Sequence, residues 1–308
     1  MTPMKQIFAT AVIATAIGGA VAARQASCTP PAVPGPTDAA AIDVAPILPA
    51  PDPEQAAATD AATDAFPPRC EFTTPRASPR ARKLTARIVG GTAALAGAYP
   101  FAAALATKTR VHYCGGTLIA PRFVLTAAHC QVEVGDVALV GASDLRSAQA
   151  VHIAESRIHP RFDAVTLDND VAIAVLAENA GVLAATFEGA GDVRPPSAMV
   201  IGWGTTVEGG ETTSALQQVR VPFWPHADCK KVYPGLTPRQ VCAGLLAGGA
   251  DSCQGDSGGA LLTGSAAAGW KQIGIVSYGT GCARPGVPGV YTDVRNDEIR
   301  AWITACAR

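Results

Sequence analysis

From residue 88 to the C-terminus the apolar residues come in short runs, each closed by glycine or proline. That pattern excludes a fold built on long helices. The runs are 101–106, 123–128, 137–140, 171–176, 198–201 and 272–277. Segments of this length and spacing predict the strands of an all-β sandwich or barrel. Only Asp297–Cys306 reads as helix, because Ile299, Trp302 and Ile303 fall on one face at i, i+3 and i+4. The 31 Gly and 24 Pro supply turns, and 48% hydrophobic against 16% charged residues is enough apolar matter for a large core. The balance of 24 Lys+Arg against 25 Asp+Glu excludes the basic footprint of a general nucleic-acid binder.

The chain ahead of residue 88 is different material. Residues 1–23 read as a signal peptide: Lys5 is the only charged side chain, 7–23 is small and apolar apart from threonine, and Ala20 and Ala22 make a cleavage site of small residues. A membrane anchor is the competing reading, but this alanine-rich run falls short of the ~20 strongly apolar residues that a span needs. The export reading implies a secreted protein in an oxidising compartment, where cysteines pair. A periplasmic location, or a lipid anchor on Cys28, are minor alternatives; Gln25 is polar where a lipid-attachment motif wants an aliphatic. Across 29–68, 10 Pro and 12 Ala fill 22 of 40 positions, so no packed core is available. Acidic residues dominate this stretch, and Arg76, Arg80, Arg82, Lys83 and Arg87 follow it. Residues 24–87 are therefore expected to be a propeptide and linker, and 88–308 the one ordered domain.

Gly255-Asp256-Ser257-Gly258-Gly259 is the sharpest local signal. Serine between glycines suits a tight turn that exposes its Oγ, although any glycine-rich turn with a serine gives the same match. Chain order separates the chemistries. A serine nucleophile needs a base within hydrogen-bond reach and a third group to orient that base. The α/β-hydrolase order, Ser then acid then His, fails because His112, His129, His152, His159 and His226 all precede Ser257. The surviving order is His, Asp, Ser. His129 ends an apolar strand closed by Cys130, whereas His159 beside Pro160 reads as a surface turn and His226 as loop. Asp170 immediately precedes the apolar run 171–176 and can be buried, while Asp168 is expected to stay wet.

Ile88-Val89-Gly90-Gly91, LTAAHC at 125–130, DNDVAIAVL at 168–176, Gly202-Trp203-Gly204, DSCQGDSGG at 251–259, Val276-Ser277-Tyr278-Gly279 and Pro288-Gly289-Val290-Tyr291 occur in one register. Together they make 88–308 resemble the trypsin/chymotrypsin-like serine proteases. The resemblance implies two packed six-stranded antiparallel Greek-key barrels and a short C-terminal helix. It implies a secreted endopeptidase that works through an acyl-enzyme, with Ser257 as nucleophile, His129 as general base and acid, and Asp170 as the orienting acid. The N–H groups of Gly255 and Ser257 are expected to form the oxyanion hole. Asp251 matches the floor of the primary specificity pocket, Ser252 sits beside it, and Gly279 and Gly289 match its walls. With Ser277 these are the expected substrate-binding residues, for cleavage after Arg or Lys.

Arg87-Ile88 resembles the family's activation bond, with Asp256 as the partner of the new Ile88 ammonium; self-cleavage and an outside protease are both open. The resemblance implies the pairs Cys114–Cys130, Cys229–Cys242 and Cys253–Cys282. Cys28, Cys70 and Cys306 are left over, and Cys70 could hold the leader through Cys306, much as chymotrypsin keeps its leader peptide. The stretch 145–150 lacks acids and no C-x₂-C spacing occurs, so no metal site or cofactor is expected. Expected partners are protein or peptide substrates and protein inhibitors, with no nucleic acid and no membrane, the protein acting as a monomer.

Overall fold

The computed structural model describes residues 70–75, 90–188, 194–204, 213–252 and 255–308. Segment 1–23, Cys28, Arg87, Ile88 and Cys253 lie outside the described residues.

After a two-residue strand β1 (Thr92–Ala93), the first half forms β2 (Ala102–Ala106), β3 (His112–Ala120), β4 (Phe123–Thr126), β5 (Val137–Val140), β6 (Gln149–Ile158) and β7 (Ala172–Leu176). Strands β2 to β7 close into a barrel in the order β2-β3-β4-β7-β6-β5. The second half supplies β8 (Thr186–Phe187), β9 (Ser197–Gly202), β10 (Gln217–Pro222), helix α1 (His226–Val232), β11 (Gln240–Ala243), β12 (Ala260–Ser265), β13 (Gly269–Tyr278), β14 (Gly289–Asp293) and helix α2 (Asp297–Cys306). Its main sheet runs β10-β9-β12-β13-β14-β11, with β1 added beside β10. A bridge between Phe223 and Ala243 joins the two ends, reinforced by Gly244 N–H to the Pro222 carbonyl at 3.0 Å and Trp224 N–H to the Cys242 carbonyl at 2.9 Å. The second ring thus repeats the strand connectivity of the first, which is the expected pair of Greek-key barrels.

Packing explains the apolar runs. Strands β2, β5 and β7 are buried along their whole length. Leu105, Leu118, Leu125, Ile153 and Ile173 fill the first barrel, while Val221, Leu261 and Tyr291 pack in the second. Each such side chain contributes ~1.5–3 kcal/mol by leaving water. Helix α2 starts at Asn296, whose side chain accepts from the N–H groups of Glu298 and Ile299. It docks through Ile299, Trp302, Ile303 and Cys306, the face expected from the sequence.

Disulfides Cys114–Cys130, Cys229–Cys242 and Cys70–Cys306 are formed. Cys282 is disulfide-bonded too, and its expected partner, Cys253, lies outside the described residues. Segment 70–75 lies against β6 and helix α2. Thr73 exchanges two backbone hydrogen bonds with Ile158 at 3.0 and 2.9 Å, and Trp302 Nε1–H donates to the Glu71 carbonyl at 2.7 Å.

Three local expectations are corrected. His226 opens helix α1 instead of lying in a loop; only Cys229 of that helix is buried, so it carries no apolar stripe to read. His159 is buried at 3% exposure and its ring packs against Trp302, with centroids 5.2 Å apart, so the turn that holds it faces inward. Asp168 is not wet: Arg239 grips it from the second barrel, leaving its side chain 15% exposed. Among the described residues no helix is long and apolar enough to cross a membrane.

Candidate active site

Strand β4 ends at Thr126, and a single 3-10 turn, Ala128–Cys130, follows. Ala128 and Cys130 are buried in that turn and Cys130 is bonded to Cys114, so the His129 ring is turned outward with 22% of its side chain exposed. Opposite it, Asp170 is fully buried at the entry to β7. His129 reaches the carboxylate twice, through Nδ1 to Oδ2 at 2.7 Å and its backbone N–H to Oδ1 at 2.9 Å. The Ser277 hydroxyl donates to Oδ2 at 2.5 Å, and the Thr292 hydroxyl donates to the Asp170 carbonyl oxygen at 2.9 Å.

These bonds shift the titration of both groups. Burial alone would push the Asp170 carboxyl up, but the charge and hydrogen bond of His129, with the bond from Ser277, hold it below the usual carboxylate range. Burial likewise pulls the His129 imidazole down, and the Asp170 charge and hydrogen bond outweigh it, leaving a net upward shift. With Nδ1 carrying its proton to Asp170, Nε2 is left as the acceptor.

Ser257 sits in the turn before β12, between buried Gly255 and Gly258, which both take positive φ (85° and 80°). Backbone contact locks this turn to the first barrel. Gly115 N–H donates to the Ser257 carbonyl at 2.7 Å, and Cys130 Sγ lies 3.6 Å from the same oxygen. A Cβ on Gly258 would come within 2.2 Å of Thr126 Oγ1, so only glycine lets the two backbones meet. Ser257 is thus held against the residue that follows His129. Beside it, Asp256 is fully buried, and Gly204 N–H donates to its Oδ1 at 2.9 Å. A Cβ on Gly202 or Gly204 would land 2.0–2.5 Å from this carboxylate. The Gly202-Trp203-Gly204 signal is therefore a cradle for Asp256.

The residues expected to bind substrate lie as follows. Asp251 is 3% exposed; it accepts from Ser252 N–H at 2.7 Å and lies 3.4 Å from the Tyr291 hydroxyl. A Cβ on Gly289 would stand 2.8 Å from Asp251 Oδ1, so this glycine borders the carboxylate directly; one on Gly279 would stand 3.9 Å from the Gly289 Cα, next to that glycine. Burial pushes the Asp251 carboxyl up to about 7, against hydrogen bonds from Ser252 and Tyr291 that favour the ionised form. Ser277, expected among the substrate-binding residues, commits its hydroxyl to Asp170. It is the bulged residue between Val276 and Tyr278 of β13, so its backbone is outside the ladder with β14. Sequence reasoning missed Thr292, Tyr291 and Gly115. Tyr291 stood in a motif of the resemblance with no role given to its hydroxyl, Thr292 follows that motif, and Gly115 matters only through a neighbour far along the chain. Cys114, His129 and Cys130 also cluster as potential metal donors, but the two sulfurs share a disulfide and offer no thiolate.

The trypsin family model matches residues 88–303. Trypsin of Saccharopolyspora erythraea is 38% identical over 216 residues, 67% of this chain and 93% of that protein. Anionic trypsin of Bos taurus is 39% identical over 234 residues, 71% of this chain and 90% of its own. Trypsin-1 of Astacus astacus is 36% identical over 226 residues, 67% of this chain and 95% of its own. A match over most of the chain, on two barrels that bring a histidine, a buried aspartate and a glycine-flanked serine to one seam, makes this protein a member of the trypsin family and a serine endopeptidase.

Proposed function

We propose that this chain is a secreted endopeptidase made as a zymogen, cleaving after Arg or Lys through His129, Asp170 and Ser257. The observation that carries the specificity is Asp251, a buried carboxylate with Gly289, which has no side chain, directly beside it. Desolvated carboxylate is costly until a cation meets it, and Arg or Lys brings that cation on an apolar stem. A peptide-library cleavage profile tests this: Arg and Lys are expected before the cut, and an aromatic or small-residue preference would refute it.

On this reading, Nε2 of His129 takes the Ser257 proton as Oγ attacks the carbonyl, while Asp170 fixes the ring and stabilises the imidazolium. The N–H groups of Gly255 and Ser257 stabilise the tetrahedral oxyanion, a donor there being worth ~3–4 kcal/mol of barrier. His129 then protonates the leaving amine, and water, activated by the same imidazole, hydrolyses the acyl-enzyme.

The Asp251 environment gives a pH test. In the free enzyme its carboxyl is raised to about 7, so below that pH a cationic ligand must displace a proton before it can bind. The inhibition constant of a small guanidinium ligand should rise ~tenfold per pH unit below about 6.5 and level off above 7.5. A flat profile between pH 5 and 8 would refute the pocket assignment.

Cleavage of Arg87-Ile88 would create an α-ammonium to pair with Asp256, whose buried carboxylate lies in the Gly202–Gly204 cradle; a pairing of this kind couples cleavage to ordering of the turn beside Ser257. Arg87 is itself a residue the proposed pocket accepts, so self-processing is our reading, with an outside trypsin-like protease as its rival. Because Cys70 is bonded to Cys306, the leader is expected to remain attached after cleavage. Intact mass of activated protein should fall by the leader only on reduction; loss without reductant contradicts the tether. Purified Ser257→Ala protein that still matures would exclude self-processing.

A further inference from the structure

The loop that delivers Asp170 is held by the other barrel. Two of its residues, Leu167 and Asn169, sit in the left-handed region at φ 53°, an uncommon conformation for side-chain-bearing residues that persists when the surroundings over-determine it. Within the first barrel the loop has the Asn169 Nδ2 bond to the Arg161 carbonyl at 3.1 Å and the turn in which Asp163 Oδ1 accepts from Val165 and Thr166 N–H. The stronger grip comes from the start of β11. Arg239 forks onto Asp168, Nε to Oδ1 at 3.0 Å and Nη2 to Oδ2 at 2.5 Å. The Thr237 hydroxyl donates to the same Oδ1 at 2.8 Å. Gln240 Nε2 donates to the Leu167 carbonyl at 3.0 Å, directly between the charged clamp and the left-handed turn. Arg239 is in turn fixed by its carbonyl, which accepts from Asp293 N–H at 2.8 Å, and by Glu298, 3.1 Å from Nη1.

We propose that Arg239 is a positioning residue for the reaction: its bidentate grip on Asp168 holds the 166–170 loop against β11, and so sets the reach of Asp170 to His129. The proposal rests on the reading of His129, Asp170 and Ser257 as the catalytic residues. Arg239 itself touches neither substrate nor triad. A planar fork, unlike an ammonium, fixes the carboxylate in angle as well as distance. Loss of it leaves a largely buried carboxylate two residues before Asp170 without its cation, and the left-handed turn relaxes.

The test compares Arg239→Gln, Arg239→Lys and Glu298→Gln, each normalised by active-site titration. Arg239→Gln is expected to lower kcat ~10- to 100-fold, the effect of small misplacement in a catalytic site, with KM for an arginine substrate little changed because Asp251 is untouched. Its acid limb of kcat/KM should move to lower pH, since a loosened Asp170 no longer holds the His129 imidazole up. Arg239→Lys should recover part of kcat and part of the limb, and Glu298→Gln, whose amide oxygen can still accept from Nη1, should lose far less kcat than Arg239→Gln. Where Arg239→Gln alone strands the Asp168 charge and lowers the folded yield, Asp168→Asn combined with it removes that charge; the same kcat loss and limb shift are expected. Per titrated site, a wild-type kcat and an unmoved limb in both Arg239→Gln and the double variant would overturn the proposal. Failure of the underlying triad reading is separate: there Ser257→Ala would keep its turnover whatever Arg239 does.

Discussion

Replacing Ser257 with alanine is expected to lower kcat by ~10⁶, the scale on which loss of one member of such a catalytic unit acts, leaving only residual catalysis from binding and oxyanion stabilisation. The size follows from how the site divides its work. The Thr126 hydroxyl, which faces the same turn, donates to the Gly115 carbonyl at 2.8 Å and has no route to replace the lost nucleophile. KM for arginine substrates should hold, since Asp251 is a separate recess. The fold should hold too, because the Gly115 bond goes to the Ser257 backbone. His129→Ala should cost about as much, and the double variant no more, since the two act in one step. Turnover per folded molecule, with the melting curve as control, is the measurement; a Ser257→Ala enzyme within tenfold of wild type would contradict the assignment.

Asp251→Ser is expected to lower kcat/KM for Arg and Lys substrates by at least ~10²–10³, from the ~3–5 kcal/mol lost when one partner of a buried ion pair is removed, at about 1.36 kcal/mol per decade. The substrate cation would enter the recess and find a hydroxyl. The same variant should be more stable than wild type at pH 8 and little different at pH 4. The sign is set by the raised carboxyl of Asp251, held at about 7 in the folded chain. The unfolded chain ionises at lower pH, so the native state loses stability as pH rises from about 4 to 7, and serine removes that loss. Unchanged arginine kinetics, or a stability gain at pH 4 but not pH 8, would refute the reading of Asp251.

The barrels were legible where strands are buried on both sides. Strands β5 and β7 appear almost residue for residue as apolar runs, because no position along them faces water. Strand β6 was not, since its exposed and buried positions alternate and its ends are polar. Helix α2 was readable from Ile299, Trp302 and Ile303 because a whole face docks, while α1 buries only Cys229. The site divides the same way. Residues within a compact motif, such as Asp251, Asp256 and Ser257, were named from their neighbours in sequence. Thr292, Gly115 and Arg239 were not, because each acts on a segment more than 60 residues away and its role exists only after the barrels meet. Asp168 misled for the same reason: a carboxylate in a polar loop looks solvated until the arginine that covers it arrives from the other half of the molecule.

The most direct test of the central claim is fluorophosphonate labelling of the matured protein, read by peptide mass mapping. One adduct per molecule on Ser257 Oγ is expected, with labelling abolished in His129→Ala and retained in Asp251→Ser. No adduct at Ser257, or labelling that persists at full rate without the His129 imidazole, would contradict the account.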